Sequence, residues 1–300
     1  MAVNLLVNIK IRNVMRKVKL LVSVSGGRTS GLMAYLLWTR FKDVYEMIFV
    51  FANTGREKEE TLIFVNNIEK HFGIPIVWVE AITHKGRKGC THKIISFETA
   101  NRDGSVFKEV IAKYGLPNKG FLHCTRELKT NTIRSYARSI GWKDHKKYMT
   151  AIGYRADEPA RVNLKKAFIN NQWYPLYDWQ IKKSDVAVFW LRQFFDLKLK
   201  DYEGNCDLCH KKTKRKLLTQ IQDGSSTDFH QEMEDKYSLV KAKNNEPRHF
   251  FRNSESITDL IEQSKEPFKR WDDQSLNTNG SDYDFELDEA ESCEESCEPF

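Results

Sequence analysis

The sequence predicts a doubly wound α/β fold, a parallel sheet with helices on both faces, and three observations carry that prediction. Short apolar runs alternate with helical stretches between residues 15 and 82. A Ser/Gly-rich turn, Ser25-Gly26-Gly27-Arg28-Thr29-Ser30, separates the first run from the first helix. A second polar turn, Asn53-Thr54-Gly55, falls at the corresponding place one strand later. Alternation of strand and helix patterns is the signature of a parallel sheet covered on both sides. Ligands of such sheets bind beyond the carboxyl ends of the strands, where both turns lie.

Taken in order, residues 20–24, 46–52 and 76–80 read as strands, and 31–41 and 57–72 as the helices between them. Residues 83–104 read as a mobile loop that concentrates His84, Lys85, Arg87, Lys88, Cys90, His92 and Lys93. Helices are expected over 105–114 and 130–140, and a late strand over 148–153. Residues 184–195 read as an amphipathic helix capped by Ser184, with Asp185 in its first turn. A basic stretch follows at 211–216, and 223–250 is polar with helical character. The expected organisation is a leader or extra strand over 1–14 and an α/β domain over 15–200. A cysteine-bearing, basic helical segment over 201–270 and an acidic, disordered tail over 271–300 follow.

Composition narrows the partners. The chain has 300 residues and a formal net charge of +7. Its last thirty residues hold 11 acidic side chains and no Lys or Arg, leaving 48 basic against 30 acidic residues in the remainder. Such a body attracts polyanions: nucleotides, and tRNA or DNA as a further partner. No run reaches the ~18 apolar residues of a membrane span. No secretory signal is read at the start, so a reducing, cytoplasmic setting is expected. There the six cysteines favour metal or redox chemistry over a disulfide framework.

The first turn has the makings of an anion cradle. Backbone N–H groups converge at a helix start, the helix dipole adds positive potential, and Ser25, Thr29 and Ser30 supply hydroxyls. The spacing is not that of a Walker loop, which needs four residues between its glycines and a following Gly-Lys-Ser/Thr. Further along, Gly153-Tyr154-Arg155-Ala156-Asp157-Glu158 precedes Arg161. Guanidinium groups bind phosphate or sulfate bidentately, so Arg155 and Arg161 are candidate clamps, with Glu158 orienting one of them.

These blocks resemble the PP-loop of the ATP-pyrophosphatase and phosphoadenosine-phosphosulfate (PAPS) reductase superfamily, with Arg28 where many members carry Lys. The stretches Asn53-Thr54-Gly55…Glu59-Glu60-Thr61, Gly153–Arg161 and Tyr174-Pro175-Leu176-Tyr177-Asp178-Trp179…Asp185-Val186 extend the resemblance over residues 18–215. Among its members, the PAPS-reductase-like proteins of phages and prophages are the most similar. The resemblance implies the adenine-nucleotide α-hydrolase fold and an ATP or PAPS ligand on Ser25, Gly26, Gly27, Arg28, Thr29, Ser30, Asn53, Thr54, Gly55, Arg155, Glu158 and Arg161. Magnesium would accompany a triphosphate, and Arg28, Lys129 and Arg155 become the candidate catalytic residues. Trp179 is the one residue of its segment expected near a ligand.

The family also gives the cysteines a context. Iron–sulfur sulfonucleotide reductases combine a Cys-Cys pair before a Lys-bearing helix with a later Cys-x-x-Cys to hold a 4Fe–4S cluster. This chain has Cys124 in His123-Cys124-Thr125-Arg126-Glu127-Leu128-Lys129, and Cys206-Asp207-Leu208-Cys209 later. Cys124, Cys206 and Cys209 are therefore the candidate metal ligands, with His123, His210 or Cys90 open as the fourth. Zinc in a closed tetrahedral site is the competing reading, and simple burial of the thiols is a third. Cys293 and Cys297 sit among carboxylates that raise thiol pKa, and no Gly-x-His follows as in the reductases' nucleophilic tail.

Three functions follow. One is a sulfur-transferring or sulfur-reducing enzyme that uses ATP or PAPS with a sulfur donor or thiol reductant. The second is an ATP-dependent tRNA or DNA thiolation enzyme, and the third a nucleotide-binding, non-catalytic module with structural zinc.

Overall fold

The computed structural model describes residues 17–242 and 244–273. The expected leader over 1–14, and Cys293 and Cys297, lie outside the described residues. Six strands form one sheet in the order β4-β3-β2-β1-β5-β6. They are β1 (Val18–Val24), β2 (Tyr45–Asn53), β3 (Ile76–Ile82), β4 (Thr91–Ile95), β5 (Met149–Ala151) and β6 (Gln172–Trp173). The β1–β2, β2–β3, β1–β5 and β5–β6 pairs are parallel, whereas β4 runs antiparallel to β3. The chain steps outward from β1 to β3 and then returns to the other side of β1. That reversal places a crevice beyond the carboxyl end of β1, where the 25–30 turn emerges.

Helices α1 (Arg28–Phe41), α2 (Glu59–Phe72) and α3 (Ser105–Tyr114) come first. A π-helical segment, Cys124–Asn131, then runs into α4 (Thr132–Ser139), and Thr132 Oγ1 donates to the Glu127 carbonyl five residues back. The remaining helices are α5 (Leu164–Asn170), α6 (Pro175–Asp178), α7 (Lys183–Leu191), α8 (Lys214–Gln222), α9 (Asp228–Tyr237) and α10 (Ile257–Lys265).

Strands β1 and β2 are buried on both faces, as their uninterrupted apolar runs require. Met33, Leu37, Phe64, Ile68 and Trp190 fill one face. Ile133, Tyr136 and Ala137 of α4 cover Val50 and Val79 on the other. A further core joins Ile111 of α3 to Leu217, Phe229, Met233, Ile257 and Leu260. The 201–270 segment is thereby packed onto the α/β domain through α3.

Several local expectations change. The 83–104 segment contains β4, an edge strand whose His92 and Lys93 give it the polarity of a loop. Charged side chains are usual on edge strands, where they discourage further pairing. Helix α7 begins at Lys183, not Ser184, because the Asp185 side chain accepts from the Lys182 N–H and forms the cap. Trp271, expected to open a disordered tail, is buried; its indole N–H donates to Asp201 at 3.1 Å.

The tightest joint lies behind the 25–30 turn. Trp190 is fully buried and donates its indole N–H to the Arg28 carbonyl at 2.9 Å. Gly31 faces it so closely that a Cβ would stand 2.8 Å from both Trp190 Cζ2 and Ile68 Cδ1. Replacing Trp190 by Ala should lower unfolding free energy by about 3–5 kcal/mol, the range for truncating a buried large aromatic. Urea denaturation checks this, and a loss below about 1 kcal/mol would mean that the joint is dispensable.

Candidate functional site

The site begins with the turn after β1. Ser25 N–H and Ser25 Oγ both bond Ser30 Oγ, at 3.1 and 2.9 Å, and Ser30 Oγ donates to the Gly27 carbonyl at 3.0 Å. Gly27 caps α1 without a side chain, so the first N–H groups of the helix face the turn with no side-chain cap. Gly26 sits at φ +92°, and a Cβ there would come within 2.5 Å of Thr61 Cγ2. Only glycine fits that corner without strain.

Arg28 and Arg155 divide differently from expectation. Arg28 forks onto Asp196, Nε to Oδ1 at 2.8 Å and Nη2 to Oδ2 at 2.9 Å, and also donates to the Leu197 carbonyl. Its guanidinium lines a groove of about 480 Å³ with Phe194, Phe195 and Lys198. These contacts make Arg28 a brace between the start of α1 and residues 196–197. Arg155 is buried and donates from Nη1 to Thr29 Oγ1 at 3.3 Å, inside the turn. Its Nε donates to Asp157 at 2.9 Å. Glu158 accepts from the Arg155 backbone N–H at 3.0 Å and from Arg161 Nη1 at 2.5 Å, tying the two residues together.

The second turn is locked from two sides. Asn53 Nδ2 donates to Glu80 Oε1 at 2.7 Å and to the Asn101 carbonyl at 2.9 Å, while Asn53 Oδ1 accepts from Gly55 N–H at 3.1 Å. Thr54 donates both its N–H and its hydroxyl to Glu57 Oε2, each at 2.7 Å. The Thr54 hydroxyl is thus already bound to Glu57.

Glu57 was not singled out by sequence reasoning, and it connects the parts. Its buried Oε1 accepts from the Cys206 thiol at 3.4 Å and stands 3.8 Å from Lys129 Nζ. Residues 57 and 206 also form a backbone bridge, and Lys58 N–H donates to the Asn205 carbonyl at 2.7 Å. Asn205 Nδ2 donates in turn to the Ser25 carbonyl at 2.7 Å. The only sequence signal was an acidic residue two positions after a strand-end glycine.

Cys124, Cys206 and Cys209 line one cavity of about 40 Å³, with Lys129, His210 and His230. That volume suits only about three water-sized groups. Burial, then the Glu57 charge, pushes the Cys206 thiol well above its ordinary pKa, and Lys129 pulls the other way. Cys90 and His123, two of the open fourth ligands, are not among the cavity's lining residues. Cys90 packs with Val106, Val110 and Leu128, and burial raises its thiol to about 11. His123 stacks on Tyr114 at 5.4 Å. His230, missed from the sequence, lines the cavity, and its buried Nδ1 has no hydrogen-bond partner among the described residues.

Three thiols and an unbonded imidazole nitrogen are the donor types that iron or zinc takes. Among the described residues, no three His, Cys, Asp or Glu side chains converge at ion-binding positions. Trp179 lies elsewhere: it stacks on Phe41 at 5.6 Å, at the far end of α1 from the turn. The 211–216 stretch is drawn inward, with Lys212 and Lys216 buried. Lys211 Nζ donates to Thr125 Oγ1 at 3.0 Å, and Lys216 lies over the Trp271 ring at 4.0 Å.

A mostly parallel six-stranded sheet with flanking helices, its switch point beside two strand-end turns, defines a doubly wound α/β protein. The chain matches the phosphoadenosine phosphosulfate reductase domain over residues 19–193, and it belongs to that family. It is 30% identical over 201 residues to a nin region protein of Escherichia phage lambda, covering 65% of this chain and 67% of that protein. Two proteins of Methanocaldococcus jannaschii are 24% and 26% identical over 61% and 53% of this chain, which spans about a third of their length. All three relatives are uncharacterised. No helix among the described residues is long and apolar enough to cross a membrane.

The neutral His230 has a pH consequence. Burial, then Arg56 and His210, lowers its pKa from 6.5 to about 3. A group that must stay neutral in the fold stabilises fully above its unfolded pKa and loses that contribution as pH falls. Stability of the metal-free protein should therefore drop between pH 6.5 and about 3, by up to about 1.4 kcal/mol per pH unit from this group. His230→Gln should flatten that part of the profile in urea titrations; parallel profiles for the two proteins would show that His230 protonates freely in the fold.

Proposed function

We propose that this chain is a nucleotide-dependent enzyme of sulfur chemistry, binding ATP or PAPS at the two strand-end turns and handling sulfur at the cysteine cavity. One observation carries the reading: the cysteine-bearing loop is hydrogen-bonded to both turns, through Asn205 to Ser25 and through Cys206 and Glu57 to Thr54. Nucleotide and thiols would thus share one rigid unit.

In this reading the N–H groups at the start of α1 receive the phosphate or sulfate, with Arg155 beside Thr29 as the nearest guanidinium. Glu158 ties Arg155 and Arg161 together. Gly26 and Gly55 keep the backbone close to the ligand, and magnesium would accompany a triphosphate. Lys129, next to Glu57 and the cavity, favours the charged form of the Cys206 thiol. Cys124, Cys206 and Cys209 would hold a zinc, with His210 and His230 as the nitrogen donors at hand, or an iron–sulfur cluster if the walls of the 40 Å³ cavity move apart to admit it. When bound, a 4Fe–4S cluster supplies redox-active iron with thiolate ligation, whereas zinc supplies a closed structural tie.

Calorimetry with ATP and with PAPS tests the nucleotide half. Gly27→Val should weaken binding of the true ligand at least tenfold, about 1.4 kcal/mol; unchanged affinity for both nucleotides would overturn this assignment of the turn. Metal analysis after anaerobic purification tests the cysteine half. Iron or zinc should be present and should disappear in Cys124→Ser, Cys206→Ser and Cys209→Ser, but remain in Cys293→Ser and Cys297→Ser. Metal-free protein, or metal retained in all three variants, would refute that half alone.

A further inference from the structure

We propose that helix α5 and the adjoining 143–147 turn form a docking strip for single-stranded nucleic acid, leading to the rim of the strand-end site. The strip goes beyond the nucleotide reading and does not depend on it.

Helix α5 follows directly on the Arg155–Arg161 segment. It turns only Ala167 inward, onto Ile152 and Tyr174, and leaves three large apolar side chains in solvent. Phe168 is 90% exposed, Leu164 62% and Ile169 57%. Leu164 and Phe168 are four residues apart and share a face. A seven-residue helix gains nothing in stability from three such side chains held in water.

Charge selects the occupant. Lys165 and Lys166 are exposed within the same helix, and residues 159–177 contain no Asp or Glu. The helix ends at Asn171, whose Nδ2 donates to the Lys146 carbonyl at 3.4 Å, so its foot meets the turn that exposes Lys143, Lys146 and Lys147. Asp144, the acid of that turn, accepts from the Lys146 N–H and is engaged locally. At the upper end stands Arg161, over the Tyr154 ring at 4.5 Å and paired with Glu158, so the uncompensated charge of the strip comes from the lysines.

Because β5, α5 and β6 form a parallel crossover, α5 runs from the carboxyl end of the sheet, where the site lies, to its opposite end. The strip is therefore a row of cations about one helix long, with an exposed aromatic ring among them. Lysines on a backbone path and a ring for base stacking are the two components of sequence-tolerant single-strand binding. A second copy of the chain fits less well. A two-fold contact would set Lys165 and Lys166 against their own counterparts. The basic stretch at 211–216 has Lys212 and Lys216 buried, which leaves α5 the better-placed surface.

Fluorescence anisotropy with a labelled 20-nucleotide single strand, as RNA and as DNA, tests the strip across a salt series. The full-length protein should bind one or both, with affinity falling as salt rises. Phe168→Ala should weaken binding between about 5-fold and 150-fold, the span of base–aromatic stacking. Replacing Lys165 and Lys166 together by Gln should reduce the slope of log affinity against log salt by about 1.4, two phosphate contacts on a single strand. These positions are exposed, so circular dichroism and ATP or PAPS calorimetry should match the parent protein. Absence of oligonucleotide binding at 50 mM salt, or equal binding by both variants, would overturn the proposal. So would stronger binding to a blunt duplex than to the single strand, or a dimer in sedimentation that Phe168→Ala dissolves without changing oligonucleotide affinity.

Discussion

The carboxylate of Glu57 is the constraint on which the site depends. A fully buried carboxylate must have its oxygens satisfied, since an unpaired charge in the interior is far more costly than any hydrogen bond it could make. Glu57 meets that demand by drawing in groups from three separate parts of the chain: Thr54 after β2, Cys206 in the late loop and Lys129 in the π-helical turn. Each partner fixes one wall of the site. Because the same carboxylate serves all three, the walls cannot be adjusted independently, and a shift at the cysteines is felt at the Asn53–Gly55 turn.

The anion cradle is braced from behind by a different device. The groups proposed to meet the ligand are backbone N–H dipoles, which cannot be repositioned by rotamer changes. Their geometry is set by what lies on the reverse side: Trp190 on the Arg28 carbonyl, the Arg28 fork on Asp196, and Asn205 on the Ser25 carbonyl. Arginine suits this bracing role because its planar fork holds a carboxylate and a carbonyl at once, which a lysine ammonium does not match. The departure from the family's common Lys at this position thus has a local consequence: the side chain supports the turn, and Arg155 is the guanidinium that reaches into it.

The central sheet was legible because its signals are local. Runs such as Leu20-Leu21-Val22 and the Gly-rich turn after them report burial and backbone conformation within a few residues. The family assignment was legible for the same reason, from blocks of adjacent residues. Strand β4 was hidden because an edge strand carries His92 and Lys93 with loop-like polarity. Glu57 and His230 were hidden because their importance lies in partners about 150 and 20 residues away, respectively. Trp179 was expected near a ligand by its place in a motif, yet it stacks on Phe41 at the far end of α1 from the turn.

Charge shows the same limit most sharply. A count of 48 basic residues states how much positive charge the chain carries, not where it is presented. In the 211–216 stretch, Thr213 caps α8 and the helix turns Lys216 inward beneath Trp271, while Lys212 is buried beside Asp201. On α5 the opposite happens: the single small residue Ala167 takes the inward place, and lysines and large apolar groups are left outside. The dense basic run therefore serves packing, and the sparser one supplies an accessible field. Attraction for a polyanion follows potential at the surface, which depends on helix phase and on neighbouring carboxylates more than on the local density of lysine in the sequence.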